Sequence, residues 1–291
     1  MSVKSVFCEQ PMEKKVASIT MRKDFWTCFM CKTLGELGSV HHNPPLEVIV
    51  QSELAIHHIA ATELRNLFPN KSGDASIAVY FNEEGVELRN AAKPKHKGFK
   101  VDFLGIDRRT GAGNLSRKQP LPKAIGQSTN SVIDVTAGFC SDAFRLAMMG
   151  YKVTALERSP VIATLVEDGI RRAKEDNEFW AEFGACFHFV RADILNGYDP
   201  EPHDVAYLDP MFPPKRKKSA LPPGPIQRIQ SLVGFDNPKE TRALFQRASE
   251  IATKKVVLKR PTYAQELHQK PTHVFEGKLV RYEVYLQPTV T

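Results

Sequence analysis

Cysteine is scarce in this sequence, with five in 291 residues: Cys8, Cys28, Cys31, Cys140 and Cys186. So few, so scattered, make no disulfide framework, which excludes the small stapled scaffolds of secreted proteins and agrees with a reducing, cytoplasmic address. Cys28-Phe29-Met30-Cys31 has the spacing of half a zinc knuckle or of a redox pair. No second pair follows it, and His41-His42 lacks the gap between histidines that a finger requires, so no metal is expected. Long hydrophobic runs are missing as well. Nowhere do about eighteen apolar residues follow one another, so no helical membrane span is expected. The early cations Lys14, Lys15, Arg22 and Lys23 precede no apolar stretch with a cleavage site. Internal repeats and low-complexity segments are absent. So is a Gly-x-Gly-x-x-Gly fingerprint, which counts against a nicotinamide-dependent oxidoreductase.

What remains is an ordinary globular composition, 42% hydrophobic and 25% charged, able to bury a sizeable core. Forty Lys and Arg against 33 Asp and Glu leave a formal charge of +7. The sign favours a polyanionic partner, although a mildly basic surface needs no partner to explain it.

Residues 1–45 show no periodicity and end in the breaker His41-His42-Asn43-Pro44-Pro45; they read as an extension of unknown structure. Residues 46–98 read as a small α+β unit. It comprises a strand at Leu46–Val50, a helix capped by Ser52 and running to about Phe68, and a hairpin of Ile77–Phe81 and Val86–Arg89. The basic connector Lys93 to Gly98 reads as a solvated linker, and another strand is expected at Phe99–Leu104. From residue 131 apolar runs alternate with helical stretches. Strands are expected at 132–135, 152–156, 187–190, 205–208 and 256–258, with helices over 142–149, 160–183 and 238–252. A closing hairpin follows, Val274-Phe275 with Val280–Leu286. Alternating units predict an α/β domain over 99–291, Rossmann-like, with a mainly parallel sheet and a C-terminal antiparallel hairpin.

In such sheets ligands bind beyond the carboxyl ends of the strands, and four of these ends carry suggestive residues. After the first come Asp134-Val135-Thr136-Ala137-Gly138, whose small residues let backbone approach a ligand, and Asp142, placed to accept hydrogen bonds. Glu157 ends the next strand, nineteen positions after Gly138, where a carboxylate accepts the two hydroxyls of a ribose; pairing with Arg158 explains it equally well. Asp193 follows the third strand and can meet an adenine amine or serve as a helix cap. The fourth end reads Tyr207-Leu208-Asp209-Pro210-Met211-Phe212-Pro213. The lone pair of a nucleobase amine is delocalised into the ring, so a site that modifies it needs acceptors for the amine protons and an aromatic face for the base. Asp209, Pro210 and Phe212 supply these and are the candidate catalytic residues. Downstream lie Lys215, Arg216, Lys217 and Lys218, a cluster suited to phosphates, with Arg108 and Arg109 as a further part of a basic rim.

Several stretches carry a family likeness: Val101-Asp102-Phe103-Leu104-Gly105, Asp134 to Gly138, Asp142-Ala143-Phe144, Leu156 to Val161, Tyr207 to Pro213, Lys217 to Leu221, Gln230 to Gly234 and Lys259-Arg260-Pro261. Through them the region from about Ile77 to Gln287 resembles the bacterial ribosomal RNA small subunit methyltransferase J family. The form Asp-Pro-Met-Phe-Pro, in place of the Asp-Pro-Pro-Tyr of amine methyltransferases generally, is its most specific element. The resemblance implies a class I methyltransferase fold, S-adenosylmethionine as cofactor, and methylation of N2 of a guanosine near the 3′ end of 16S rRNA of the 30S subunit. It implies cofactor contacts at Ser141, Asp142, Glu157, Arg158, Asp193, Ile194 and Asp209. Two departures stand out. Family members usually have Gly-Arg where this chain has Cys140-Ser141, and residues 1–45 have no counterpart. Two rival readings remain, N6 methylation of adenine in another nucleic acid and a non-catalytic RNA-binding protein. The latter has no need of Glu157 and Asp209 together.

Overall fold

The computed structural model describes residues 45–69, 75, 77–93, 95–111, 113, 115–211, 237–264, 267 and 269–288. The expected extension, the Cys28/Cys31 pair, Phe212 and the cations Lys215, Arg216, Lys217 and Lys218 lie outside them.

Two sheets carry the structure. The smaller joins β1 (Leu46–Gln51), β2 (Ile77–Asn82) and β3 (Gly85–Asn90). β1 runs parallel to β2 across the crossover helix α1 (Ala55–Leu67), and β2 turns back antiparallel into β3. Ser52 does not cap α1. Leu54 holds the cap position without a side-chain bond, while Ser52 Oγ lies 2.9 Å from Nδ1 of buried His57. The strand expected at Phe99–Leu104 reduces to one bridge between Phe99 and Leu88. Asp102 ends it, because Oδ1 accepts the N–H groups of Leu104 and Gly105 and so folds the chain into a turn.

After the short helix α2 (Pro120–Ile125) the main sheet begins. Its strands are β4 (Ser131–Asp134), β5 (Lys152–Glu157), β6 (Phe187–Arg191), β7 (His203–Leu208), β8 (Ala252–Pro261), β9 (His273–Glu276) and β10 (Val280–Leu286). The order is β6-β5-β4-β7-β8-β10-β9. The first five are parallel, and β10 pairs antiparallel with both β8 and β9. This is the expected mainly parallel sheet closed by an antiparallel hairpin. Strand order reverses at β4, which has β5 on one side and β7 on the other.

Both faces are covered, so the strands read as continuous apolar runs. Alternate residues of each strand enter different cores. Val132, Val205, Tyr207, Val257, Tyr282 and Val284 face the side of α3 (Ser141–Met148) and α4 (Pro160–Glu175). Ile133, Ala206, Leu208, Val256, Leu258 and Tyr285 face α6 (Pro238–Ile251). The helix expected over 160–183 is broken. Asp176 adopts an extended conformation (φ −91°, ψ 94°) and its side chain accepts from Phe179 N, capping a new helix, α5 (Asn177–Phe183).

The small sheet is anchored to α4 through the buried carboxylate of Asp168. Its oxygens accept from Val86 N (2.9 Å), Arg171 (2.9 Å) and Arg172 Nε (2.8 Å), and His57 Nε2 lies 3.4 Å away.

Candidate active site

At the carboxyl ends of β4, β5, β7 and β8 opens a cavity of about 470 Å³. The turn after β4 forms its floor. Gly138 there has φ +54°, and a Cβ on it would meet open space, so bare backbone faces the cavity. Two residues on, Cys140 also has a positive φ, 59°, the one non-glycine among the described residues to do so. The backbone there keeps a glycine-like conformation despite the side chain. Cys140 precedes α3, and Asp142 in the first turn of that helix sits where a negative charge is favoured.

Glu157 ends β5. The alternative, a surface ion pair with Arg158, does not describe it. Arg158 pairs with Glu240 of α6, whereas Glu157 is 8% exposed and accepts the N–H of Ser159 at 2.6 Å and those of Gly138 and Arg158. Burial outweighs these bonds and raises its pKa to about 7. Asp134, at the end of β4, is 2% exposed and accepts from Thr136 N at 3.1 Å. Burial drives its carboxyl well above the ordinary range, and the residue forms part of the cavity wall.

Asp193 binds its own turn, accepting from Leu195 N (2.9 Å) and Asn196 Nδ2 (2.7 Å). It lines the cavity, but the neighbouring Ile194 does not. The Ile194 side chain is 3% exposed and belongs to the α6-side core, away from the cavity.

Asp209 and Pro210 follow β7 and line the opposite wall from Glu157's strand, with Met211 beside them. The Asp209 N–H donates to Thr136 Oγ1 (2.7 Å), and its Oδ2 accepts from Lys259 Nζ (2.8 Å). The same Nζ donates to Asp142 Oδ2 (3.0 Å), which also accepts the hydroxyl of Tyr207 (2.9 Å), while Arg145 pairs with Asp142 Oδ1. Burial raises the Asp209 carboxyl, Lys259 opposes the rise and Asp142 adds to it. For Asp142 burial is outweighed by Lys259 and Arg145, and its pKa falls to about 2. Lys259 was noted in the sequence only as part of a matching tripeptide. A lysine closing the apolar run Val256-Val257-Leu258 was the available signal.

Of the predicted cofactor residues, Asp134, Gly138, Ser141, Asp142, Glu157, Arg158, Asp193 and Asp209 therefore share one cavity. Arg108 and Arg109 do not line it. The Arg109 guanidinium pairs with Asp107, and that of Arg108 lies 6.0 Å from the Phe179 ring centroid.

The donor set fits an adenosyl cofactor: an open glycine backbone, a buried carboxylate for vicinal hydroxyls and a cavity of nucleoside size. Fold and site together define a class I S-adenosylmethionine-dependent methyltransferase, and the family model of SAM-dependent methyltransferases matches residues 62–287. A solved SAM-dependent methyltransferase from Neisseria gonorrhoeae is similar at a TM-score of 0.57 and 27% identity, covering 82% of this chain and 95% of that one. A ribosomal RNA small subunit methyltransferase J from Shewanella piezotolerans is 41% identical over 230 residues, 74% of this chain and 83% of the relative. Its namesake from Aeromonas salmonicida is 39% identical over 227 residues, 75% of this chain and 89% of the relative. The chain belongs to the ribosomal RNA small subunit methyltransferase J family.

Proposed function

We propose that this protein transfers a methyl group from S-adenosylmethionine to N2 of one guanosine in 16S rRNA of the small ribosomal subunit. The observation that carries the reading is Asp209: a carboxylate at the cavity wall, followed by Pro210 and anchored from behind by Lys259. The relatives' shared name supports the rRNA substrate.

Glu157 accepts the ribose hydroxyls of the cofactor, and the Gly138 backbone lets it lie close. Ser141, Asp142, Arg158 and Asp193 line the remaining contacts, with Ile194 contributing backbone alone. When bound, the cofactor supplies a methyl group on a positively charged sulfonium, which makes that group electrophilic. Asp209 and the Pro210 carbonyl would accept the protons of the guanine amine and hold its nitrogen toward the cofactor site. Transfer to that nitrogen would release the demethylated cofactor, and Asp209 or water would take the surplus amine proton. Positioning supplies most of the rate. Phe212 stacks the extracted base, and Lys215, Arg216, Lys217 and Lys218, with Arg108 and Arg109, hold phosphates. Among the described residues no helix is long and apolar enough to cross a membrane, and action on the ribosome implies a cytoplasmic site. We assign catalysis to residues 99–291, preceded by a small unit at 46–98 and an extension at 1–45.

The test is transfer of labelled methyl groups to 30S subunits followed by nucleoside analysis. Label in N2-methylguanosine supports the reading. Label in adenine keeps the methyltransferase and overturns the target base, and cofactor binding without transfer to any RNA overturns the substrate class.

A further inference from the structure

Parallel pairing sets Leu208 opposite Leu258, so the next residues, Asp209 and Lys259, leave neighbouring strand ends side by side. The period of two adds a second constraint. Tyr207 and Val257 face the α3 side of the sheet, and Asp209 and Lys259, two residues on, project to the same side. The α3 helix brings Asp142 to meet them. Lys259 thus sits with its ammonium between two carboxylates, 3.0 Å from Asp142 Oδ2 and 2.8 Å from Asp209 Oδ2.

The two carboxylates are engaged differently. Asp142 is the more fully engaged, with Arg145 on Oδ1 and both Tyr207 and Lys259 on Oδ2. Asp209 spends Oδ2 on Lys259, and among the described residues no side chain or N–H donates to its Oδ1. Asp142 is therefore the fixed anchor of the lysine, and Asp209 the member with an oxygen left for a ligand. We propose that Lys259 is a positioning residue for methyl transfer, which keeps the Asp209 carboxylate charged and turns its Oδ1 toward the target amine. The inference rests on the amine-methylation reading above.

Electrostatics give the reason for a lysine here. Among the described residues, the charged and titratable groups around Asp209 are Asp134 from β4, Asp142 and, beyond it, Arg145 from α3, Tyr207 from its own strand, Lys259 from β8 and Tyr282 from β10. Arg145 is committed to Asp142, so among the described residues Lys259 is the cation that reaches Asp209 directly. Burial and the neighbouring Asp142 both favour a protonated Asp209, and a protonated carboxyl would turn a donor toward the amine's own donors. Lys259 opposes that outcome.

The decisive experiment follows the Asp209 carboxyl carbon by NMR across pH in the full chain, assigned by its loss in Asp209→Asn. Wild type is compared with Lys259→Met, Lys259→Gln and Lys259→Arg. In the Met and Gln variants the Asp209 titration moves up by about one pH unit or more, and in the Arg variant it stays near wild type. Using 30S subunits, the acid limb of kcat moves up in the same variants, kcat at pH 7 falls about tenfold or more, and KM for the cofactor stays within about twofold. An unmoved titration overturns the proposal. So does an Arg variant as impaired as Met, or a loss confined to cofactor affinity, which makes Lys259 a cofactor contact instead. If wild type itself methylates no RNA, the reaction reading fails, while the NMR titration still decides whether Lys259 governs Asp209.

Discussion

The backbone N–H of Asp209 donates to Thr136 Oγ1 across 2.7 Å, tying the end of β7 to the turn that follows β4. The two strands are neighbours at the point where strand order reverses, so one hydroxyl couples the cofactor-facing turn to the proposed amine acceptor. Thr136→Val preserves shape and leaves that N–H without its partner. The expected outcome is a stability loss of about 1 kcal/mol in denaturant titration, with kcat reduced about tenfold and cofactor affinity nearly unchanged. Unaltered kcat would show that this tether does not position Asp209.

Glu157 should make cofactor binding pH-dependent. Its pKa is about 7 in the folded chain against an ordinary 4.5, so between these values the folded carboxyl keeps a proton that the unfolded one has lost. Folding stability from this group therefore falls as pH rises across that window, by about 3 kcal/mol when complete. The ionised form is the better acceptor for ribose hydroxyls, so affinity rises across the same window. Glu157→Gln is expected to melt higher than wild type at pH 8 without cofactor, the gap shrinking toward pH 4. Calorimetry should show binding about tenfold weaker at pH 8 and flat with pH. Equal pH profiles in the two proteins would remove Glu157 from the site.

Cys140 holds φ +59° with its side chain fully buried, two opposed demands on one residue. The left-handed conformation costs a non-glycine residue about 1 kcal/mol, and deleting a buried thiol costs a similar amount. Cys140→Gly should therefore stay within about 1 kcal/mol of wild type. A β-branched Cys140→Val should lose about 2 kcal/mol or more in the same unfolding measurement. A valine variant as stable as wild type would mean that the turn relaxes freely.

Asp168 gathers Val86 N, Arg171, Arg172 and His57 around one buried carboxylate. Burial alone would raise its pKa, but the Val86 and arginine hydrogen bonds prevail and lower it. Its contribution is present above the unfolded carboxyl's range and is lost as pH falls through the lowered folded value. Asp168→Ala should cost about 3 kcal/mol or more at pH 7, since two guanidinium groups and a strand N–H lose their acceptor. The loss should narrow in acid. Cofactor affinity of the folded fraction should not change, because Asp168 lies outside the cavity.

Local chemistry was legible wherever a residue's role depends on its own strand or turn. The apolar runs, the acids at the ends of β4, β5 and β7, and the Gly138 turn are of this kind. It was misleading where two local solutions competed. Ser52 has the chemistry of a helix cap but engages His57, Asp102 turns a strand-like run back on itself, and Asp176 starts a new helix inside a helical pattern. In each case a short polar side chain found a nearby partner that hydropathy does not register.

By itself, then, the sequence determined the alternation of strands and helices, and hence a doubly wound sheet with acids at its carboxyl edge, because backbone pairing and a period of two follow from residue order. Only the tertiary structure decided which charges meet. Lys259 lies 117 residues from Asp142 and 50 from Asp209, and Arg158 turns from the adjacent Glu157 to Glu240, 82 residues away. Strand order and register, set by how the two cores pack, choose such partners. An ion pair takes its strength from the distance and burial that result.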